Sequence, residues 1–459
     1  MSSSTGPSHP TEINPKIFGA YDVRGIYPTD LNDDIAYRVG RAFTQYLGVD
    51  RVAVGHDMRV SSPALAQAFM RGITDQGADA IDLGLTTTDE LYFAVGKFGY
   101  PGGVMITASH NPKQYNGFKM CRENATAISS ETGGFAIRDL AIAGNFKEPE
   151  RKGQIIQRDV SDAFVDHCLS FIDVAKVKPY KIAVDAGNGM AGMIVPRVFK
   201  KLPCELVPLY FELDGTFPNH PASPIEPENT EELRKVVPAQ QCNMGIAFDG
   251  DADRMFLIDE EGHLLGGDMV TALVAHSLLQ SHKGATILYN LICSRSVPEV
   301  IERDGGRPVR TRVGHSFIKA QMRQENAIFG GEHSGHFYFR DNWFADSGLI
   351  AFLIVLELVS VSGKTVTQLV GEVDTRFRSG EVNSEVQDQK GRMAAIEQKY
   401  AAEGAQIDHL DGITIGFPTW WANVRPSNTE PLLRLNVEAD TQAELEQRRD
   451  EVLAVIRQR

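Results

Sequence analysis

Long hydrophobic runs are missing from this chain. No apolar stretch reaches the ~20 residues that a bilayer requires, which excludes a helical membrane span. Cysteine is scarce, with five in 459 residues, and Cys121, Cys168, Cys204, Cys242 and Cys293 form no C-x-x-C pair. A structural zinc site and a disulfide framework are thereby excluded, and the five read as reduced thiols. Basic charge is in deficit, 46 Lys and Arg against 60 Asp and Glu, for a formal net charge of -14. General nucleic-acid binding needs a basic surface, so it is excluded as well. A small anionic substrate remains open if cations gather locally in a cleft. Met1 to Pro10 lack the apolar core of a signal peptide and are rich in Ser and Pro, so residues 1–12 are expected to be a disordered tail on a cytoplasmic protein. Nothing implies a protein partner or a membrane.

What is present is an ordinary globular composition, 42% hydrophobic and 23% charged, on a chain long enough for three or four domains. Short apolar strands alternate with helical patterns. Arg51–Gly55, Ala80–Leu83 and Val104–Ile106 bracket helices near 62–76 and 90–98. The alternation restarts with strands at 181–184, 205–209 and 245–248 around helices at 190–200 and 228–237. It restarts again with strands at 286–289 and 328–329, a strand at Val309, a helix after Pro298, and helices at 315–324 and 347–361. After Gly363 the texture shifts to short alternating strands such as 413–417 and 433–437, with helices near 392–403 and 442–457. The expected fold class is therefore α/β, three similar domains with mixed sheets at 13–155, 156–261 and 262–366, followed by a smaller α+β domain at 367–459.

Four loops carry chemistry. Val104–Ile106 is a buried-strand pattern ending in Thr107-Ala108-Ser109-His110-Asn111-Pro112, with Tyr115 to Lys119 following in the polar region. α/β folds put their chemistry just past a strand's carboxyl end, so Ser109 could attack or carry a phosphoryl group, with His110 and Lys119 to move protons or hold charge. A polar turn with a capping serine is the competing reading. Asp249-Gly250-Asp251-Ala252-Asp253-Arg254 places carboxylates at alternate positions of an extended loop, hard oxygen ligands for Mg²⁺ that repel one another without a cation. A calcium EF-hand would need glycine where Arg254 stands, and helical flanks. Asp249 could also be the nucleophile of an aspartyl-phosphate phosphatase, since D-x-D after a strand suits that chemistry. Gly330 to His336 offers Glu332, Ser334 and His336, groups suited to sugar hydroxyls. Arg425-Pro426-Ser427-Asn428-Thr429 combines a guanidinium with hydroxyl, amide and backbone donors, a cradle for phosphate. His315 is a further loop histidine. Gly187-Asn188-Gly189-Met190-Ala191-Gly192 matches a dinucleotide fingerprint, but nothing else asks for a redox cofactor and a tight strand-to-helix turn needs the same glycines.

Together TASHNP, DGDADR, GEHSGH and RPSNTEP, in this order, resemble the loops of the α-D-phosphohexomutase family, of the bacterial phosphomannomutase/phosphoglucomutase type. The likeness runs from Tyr21-Asp22-Val23-Arg24-Gly25 to Arg434. It implies four domains around a central cleft, the last of them TATA-binding-protein-like. It makes Ser109 the phosphoserine, with Asp249, Asp251 and Asp253 holding Mg²⁺ against it. Tyr21, Arg254, Glu332, Ser334 and His336 become sugar contacts, while Arg425, Ser427, Asn428, Thr429 and Arg434 grip the non-reacting phosphate. Arg24, His110, Lys119 and His315 surround the reacting oxygen, with Lys119 or His315 as general acid/base. The implied reaction interconverts mannose 6-phosphate and mannose 1-phosphate through a hexose 1,6-bisphosphate, which also serves as activator. Phosphoglucomutase activity accompanies it or replaces it as the main one. A hinged fourth domain that closes on the phosphate would keep water out.

The chain departs from the family in one segment. Many bifunctional members carry a lysine where this chain has Asn290 to Arg295, with Ile292 at the lysine position, so that cation is missing or has moved to Arg295. Asn428 leans away from phosphoglucosamine mutases, and His336 leans toward the mannose/glucose type.

Overall fold

The computed structural model describes residues 12–427 and 432–458. The expected tail lies outside the described residues except for its last position, as do Asn428 and Thr429. Two compact units divide the chain, one built from the residues up to Gly266 with Ser334–Val366, the other from Gly267–His333 with the chain from Thr367 onward.

The first unit opens with β1 (Val23–Ile26), α1 (Asp33–Leu47), β2 (Arg51–His56), α2 (Ser62–Asp75), β3 (Asp79–Leu85), α3 (Thr88–Phe98), β4 (Gly102–Ile106), β5 (Tyr115–Arg122), β6 (Thr126–Ala127), α4 (Phe135–Ala143) and β7 (Ile155–Gln157). Its seven-stranded sheet runs β1-β5-β4-β2-β3-β7, with β6 on β5. β2 is parallel to β3 and β4, whereas β5 is antiparallel to β4 and β1, so the sheet is mixed as expected. Every residue of β4 is buried, and its unbroken apolar run is what a strand covered on both faces requires. α3 starts at a capping box, Thr87 with Glu90, and stops at Gly99, whose φ of 63° is the left-handed cap that glycine adopts without strain.

β5 takes up Tyr115–Lys119, a segment to which the sequence reading assigns no element. The polarity that signals a loop locally is here satisfied at long range: Asn116 Nδ2 donates to the hydroxyls of Ser61 and Ser62 at 2.8 and 2.9 Å, and Lys119 is held by carboxylates from another loop.

The unit continues with α5 (Ser161–Leu169), β8 (Lys181–Asp185), α6 (Ala191–Phe199), β9 (Glu205–Leu209), α7 (Glu231–Ala239), β10 (Met244–Phe248), β11 (Met255–Ile258) and β12 (Leu264–Leu265). The sheet order is β12-β11-β10-β8-β9, with β10 parallel to β8 and antiparallel to β11. Phe248 pairs with Met255, so residues 249–254 are the connection of a β-hairpin.

In the second unit α8 (Gly267–Ser281), β13 (Thr286–Asn290), α9 (Ser296–Arg303), β14 (Arg307–Thr311), α10 (His315–Glu325) and β15 (Phe329–Gly331) make a third α/β layer, with β13 parallel to both β14 and β15. α9 begins at Ser296, before Pro298 rather than after it, because proline in a first helical turn breaks no helical hydrogen bond. Residues 334–366 belong to the first unit and carry the antiparallel pair β16 (Phe337–Phe339) and β17 (Ala345–Asp346), then α11 (Gly348–Ser362). Twelve of the 15 residues of α11 are buried, so its lack of an amphipathic pattern marks an interior helix. No described helix is long and apolar enough to cross a membrane.

The second unit closes with α12 (Val366–Gly371), β18 (Phe377–Glu385), α13 (Gln389–Ala402), β19 (Gln406–Asp408), β20 (Ile413–Gly416), β21 (Trp420–Pro426), β22 (Leu432–Ala439) and α14 (Gln442–Ile456). Here the sheet is wholly antiparallel, β18-β22-β21-β20-β19, over a core that includes Ile396, Tyr400, Trp420, Leu435 and Val452. Three α/β layers and an α+β layer are thus the architecture.

Candidate active site

Ser109 stands just past the carboxyl end of β4, fully buried, in a left-handed backbone conformation with φ of 50°. A non-glycine residue held there stores on the order of 1–3 kcal/mol of strain, so the loop needs external restraint. Arg59 supplies it. This guanidinium, itself fully buried, donates from Nη2 to the carbonyls of Ser109 and Asn111 at 2.8 and 2.7 Å, and from Nη1 to those of Pro112 and Tyr115 at 2.9 and 3.0 Å. Thr107 Oγ1 accepts from the Ser109 amide at 2.9 Å. Sequence reasoning missed Arg59; the available signal was its place past the end of β2, beside β4 in a parallel sheet.

The Ser109 hydroxyl donates to Asp249 Oδ2 at 2.7 Å. Arg254 reaches in from the same hairpin, its Nη2 2.9 Å from His110 Nδ1 and 3.4 Å from Ser109 Oγ. The neighbouring Arg254 charge, followed by burial, pushes the His110 pKa well below its ordinary value, so this imidazole is a neutral acceptor for Arg254. Arg254 Nε also donates to His336 Nε2 at 3.1 Å, and His336 Nδ1 lies 3.0 Å from Ser334 Oγ. Two loops expected to act together are thereby joined by one run of polar contacts. Arg24 is clamped by Asp22 through Nε and Nη2 at 2.9 and 2.8 Å and also donates to Asn111 Oδ1. Tyr21 precedes that clamp and is half-buried.

Asp249, Asp251 and Asp253 are all buried and bring ligand oxygens within 4.8 Å of one another. Their one ammonium is Lys119, whose Nζ donates to Asp251 Oδ2 at 2.7 Å and Asp253 Oδ2 at 2.5 Å. Burial, then the Asp251 charge, pushes Asp253 up to about 6. Asp249 is raised well above the ordinary range by burial and its two neighbours. Burial also acts to raise Asp251, but Lys119 outweighs it and holds that carboxyl low. Lys119 in turn keeps its proton: burial opposes the charge, and Asp251 and Asp253 overcome that opposition. Asp251 Oδ1 and Asp253 Oδ1 are buried with no hydrogen-bond partner among the described residues. Orphaned carboxylate oxygens within a buried, electron-rich cluster are the mark of a site that fits a divalent cation. A second set, Asp253, His336 and Asp346, also lies within 4.8 Å, but His336 Nε2 is already engaged by Arg254.

Gly187 makes the turn after β8 with a left-handed φ of 52°, and Gly189 lets this hairpin approach. A Cβ at Gly189 would lie 2.7 Å from the Gly250 carbonyl, and the Met190 amide donates to that same oxygen at 2.9 Å.

The second unit holds the remaining expected residues. Glu332 is buried and its Oε1 accepts from the Gly314 amide at 3.1 Å and Asn290 Nδ2 at 3.4 Å, next to His315 at the first position of α10. Arg425 and Arg434 converge on one carboxylate, Glu381, which Arg434 Nη1 approaches at 3.1 Å. Glu381 carried no signal in sequence. The Ser427 amide donates to the Leu432 carbonyl at 2.9 Å. Ile292 is buried, and the Arg295 guanidinium donates from Nη1 to the carbonyls of Phe417 and Pro418 at 2.8 and 3.3 Å.

Sequence models of phosphoglucomutase/phosphomannomutase domains match four stretches: alpha/beta/alpha domain I over residues 15–147, domain II over 162–262, domain III over 266–377 and the C-terminal domain over 381–455. A phosphomannomutase of Escherichia coli is 42% identical over 451 residues, spanning 96% of this chain and 99% of its own length. Phosphohexose mutases of Xanthomonas campestris pv. campestris are 42% identical over 442 residues, 96% and 99% of the respective lengths. The crystal structure of a phosphoglucomutase/phosphomannomutase family protein from Burkholderia thailandensis superposes with a TM-score of 0.88 at 32% identity, covering 97% of this chain and 98% of that one.

Proposed function

The chain belongs to the phosphoglucomutase/phosphomannomutase family, whose members are phosphotransferase isomerases, and from that premise we propose a phosphomannomutase that works through phospho-Ser109. The observation that carries the reading is the Ser109 hydroxyl, 2.7 Å from Asp249 Oδ2 and flanked by Arg254 in a buried, strained loop. In the first half-reaction the bond from Ser109 Oγ to phosphorus breaks as the sugar's free hydroxyl oxygen bonds to phosphorus, and that hydroxyl's proton passes to a base. Ser109 Oγ takes up a proton as it leaves; the hexose 1,6-bisphosphate then turns, Ser109 Oγ gives up its proton and bonds to the other phosphorus as the bond from that phosphorus to the sugar oxygen breaks, and the sugar oxygen takes up a proton. Asp249, Asp251 and Asp253 would hold Mg²⁺, which when bound supplies neutralisation of charge on the transferring phosphoryl oxygens. Arg254 and Arg24 add fixed positive charge at the same point, and their clamps mean that little reorganisation is needed during transfer.

Lys119, charged and pinned between two carboxylates, suits charge-holding better than proton transfer. His315 is then our candidate for the proton-moving role. Glu332, Ser334, His336 and Tyr21 would read sugar hydroxyls. Arg425 and Arg434, with Ser427, Asn428 and Thr429, would grip the non-reacting phosphate, which would compete with Glu381 for the two guanidiniums. The domain division at 13–155, 156–261, 262–366 and 367–459 belongs to the same proposal, as do a hexose 1,6-bisphosphate activator and a cytoplasmic location, which suits cysteines that form no disulfide among the described residues.

The test is turnover of mannose 1-phosphate to mannose 6-phosphate with Mg²⁺ and a trace of glucose 1,6-bisphosphate, run beside glucose 1-phosphate. No turnover of either sugar would overturn the reading, and a faster glucose reaction would make phosphoglucomutase the main activity. Arg425→Ala should raise KM for the sugar phosphate on the order of 10- to 100-fold, the equivalent of ~1.5–3 kcal/mol for a hydrogen bond to a charged group. Steady-state kinetics on both hexose 1-phosphates read it, and an unchanged KM would remove Arg425 from the phosphate grip.

A further inference from the structure

The geometry points to Thr88 as a positioning residue for the cation site: it selects which oxygen Asp251 presents to the ion. This rests on the reading that Asp249, Asp251 and Asp253 hold a divalent cation. Thr88 is the first residue of α3 and fully buried, far in sequence from the hairpin it touches. Its Oγ1 donates to Asp251 Oδ2 at 2.5 Å, and its backbone amide donates to the Asp251 carbonyl at 3.1 Å. The first amides of a helix have no partner within it, so this N–H is free to fix the hairpin connection at Asp251.

Two donors, Thr88 Oγ1 and Lys119 Nζ, therefore converge on Asp251 Oδ2, while Oδ1 of the same carboxylate is buried without a hydrogen-bond partner among the described residues. A carboxylate oxygen has room for about two donors. Oδ2 is thus occupied, and only Oδ1 has lone pairs left for a metal ion. Without the hydroxyl, the carboxylate can rotate and share its oxygens differently between Lys119 and the ion. The start of α3 is itself immobilised: the capping box joins Thr87 and Glu90, and Asp89 Oδ2 accepts from the Ser347 hydroxyl, at the cap of α11, at 2.6 Å. Thr88 is therefore delivered from a rigid base. Outer partners of this kind typically change metal affinity about 10- to 100-fold when removed.

The experiment measures Mn²⁺ binding to the purified full-length chain by electron paramagnetic resonance of the free ion, for the parent, Thr88→Val and Thr88→Ser. Valine keeps the shape and loses the donor; serine keeps the donor. The Mn²⁺ dissociation constant should rise about 10- to 100-fold in Thr88→Val and stay close to the parent value in Thr88→Ser. KM for mannose 1-phosphate at saturating metal should change little in either. Equal Mn²⁺ affinity in parent and Thr88→Val overturns the inference, and so does an equal loss in Thr88→Ser, because that would report packing and not the hydroxyl. If valine prevents folding, as circular dichroism would show, Thr88→Ala beside Thr88→Ser carries the same expectation. A parent chain that binds no Mn²⁺ defeats the cation-site reading itself, a result distinct from a parent that binds and a valine variant that binds equally.

Discussion

Ser109→Ala should abolish mutase turnover while leaving sugar-phosphate binding intact. The substitution removes one oxygen and its hydrogen bond to Asp249 Oδ2 but keeps the backbone anchors of the loop, because Arg59 holds backbone carbonyls and Thr107 holds the amide. Alanine tolerates the local backbone about as well as serine, so the change isolates the nucleophile from the scaffold. Loss of a covalent nucleophile elsewhere costs on the order of 10⁶-fold in kcat, and an effect of that size is expected here because no second hydroxyl among the described residues donates to Asp249. Arg425 and Arg434 lie in the other unit and are untouched, so calorimetric affinity for mannose 1-phosphate should stay within a few-fold of the parent. Phosphoenzyme formed from glucose 1,6-bisphosphate should resist hydroxylamine in the parent and be missing from the variant. Full turnover by Ser109→Ala would end the phosphoserine proposal. A hydroxylamine-labile phosphate persisting in the variant would transfer the chemistry to Asp249, as an aspartyl phosphate.

How far this site could be read from sequence depended on the range over which each residue finds its partners. Ser109 was legible because β4 announces itself locally, the apolar run Val104–Ile106 after a Pro-Gly-Gly turn with chemistry at its end. The alternating carboxylates of 249–253 were legible for the same reason, since their repulsion is written within one hairpin turn. Lys119 could be named, but its place in a buried strand could not be seen. Polar Asn116 and Lys119 look like loop residues until Ser61, Ser62, Asp251 and Asp253 are brought beside them. Arg59 and Thr88 were missed as site residues, Arg59 offering only its place past the end of β2 and Thr88 looking like one more threonine at the start of a helix. Each acts on a loop that only the tertiary arrangement puts within reach. Arg295, which sequence offers as a substitute for the absent lysine, has its guanidinium on two carbonyls of the C-terminal layer. No local pattern distinguishes a cation waiting for substrate from one already bound to backbone.

Lys119→Met should destabilise the metal-free chain by ~3–5 kcal/mol, the loss expected when one partner of a buried ion pair is removed and the other left behind. Methionine nearly fills the volume of the lysine stem, so packing around β5 is kept and the effect is electrostatic. What remains is a set of three buried carboxylates, of which Asp251 and Asp253 have lost the ammonium at 2.7 and 2.5 Å. Arg254 is the nearest remaining cation, with Nε 3.4 Å from Asp249 Oδ2 and 4.0 Å from Asp253 Oδ1, too far to substitute for two direct hydrogen bonds. A divalent ion placed among the three aspartates would supply the missing charge. Mn²⁺ or Mg²⁺ should therefore raise the unfolding midpoint of Lys119→Met by more than it raises that of the parent, while in EDTA the variant should unfold at markedly lower urea concentration. Urea unfolding followed by circular dichroism, with and without the ion, checks both halves. A variant as stable as the parent in EDTA would show that Lys119 is not the counter-charge of the cluster. A variant destabilised in EDTA but unmoved by either metal would separate the two functions of the hairpin: the ammonium would hold the loop together and the aspartates would not be a cation site. Lys119→Arg is the weaker probe, because a planar fork cannot reproduce a point charge held between two carboxylate oxygens from different positions of one turn.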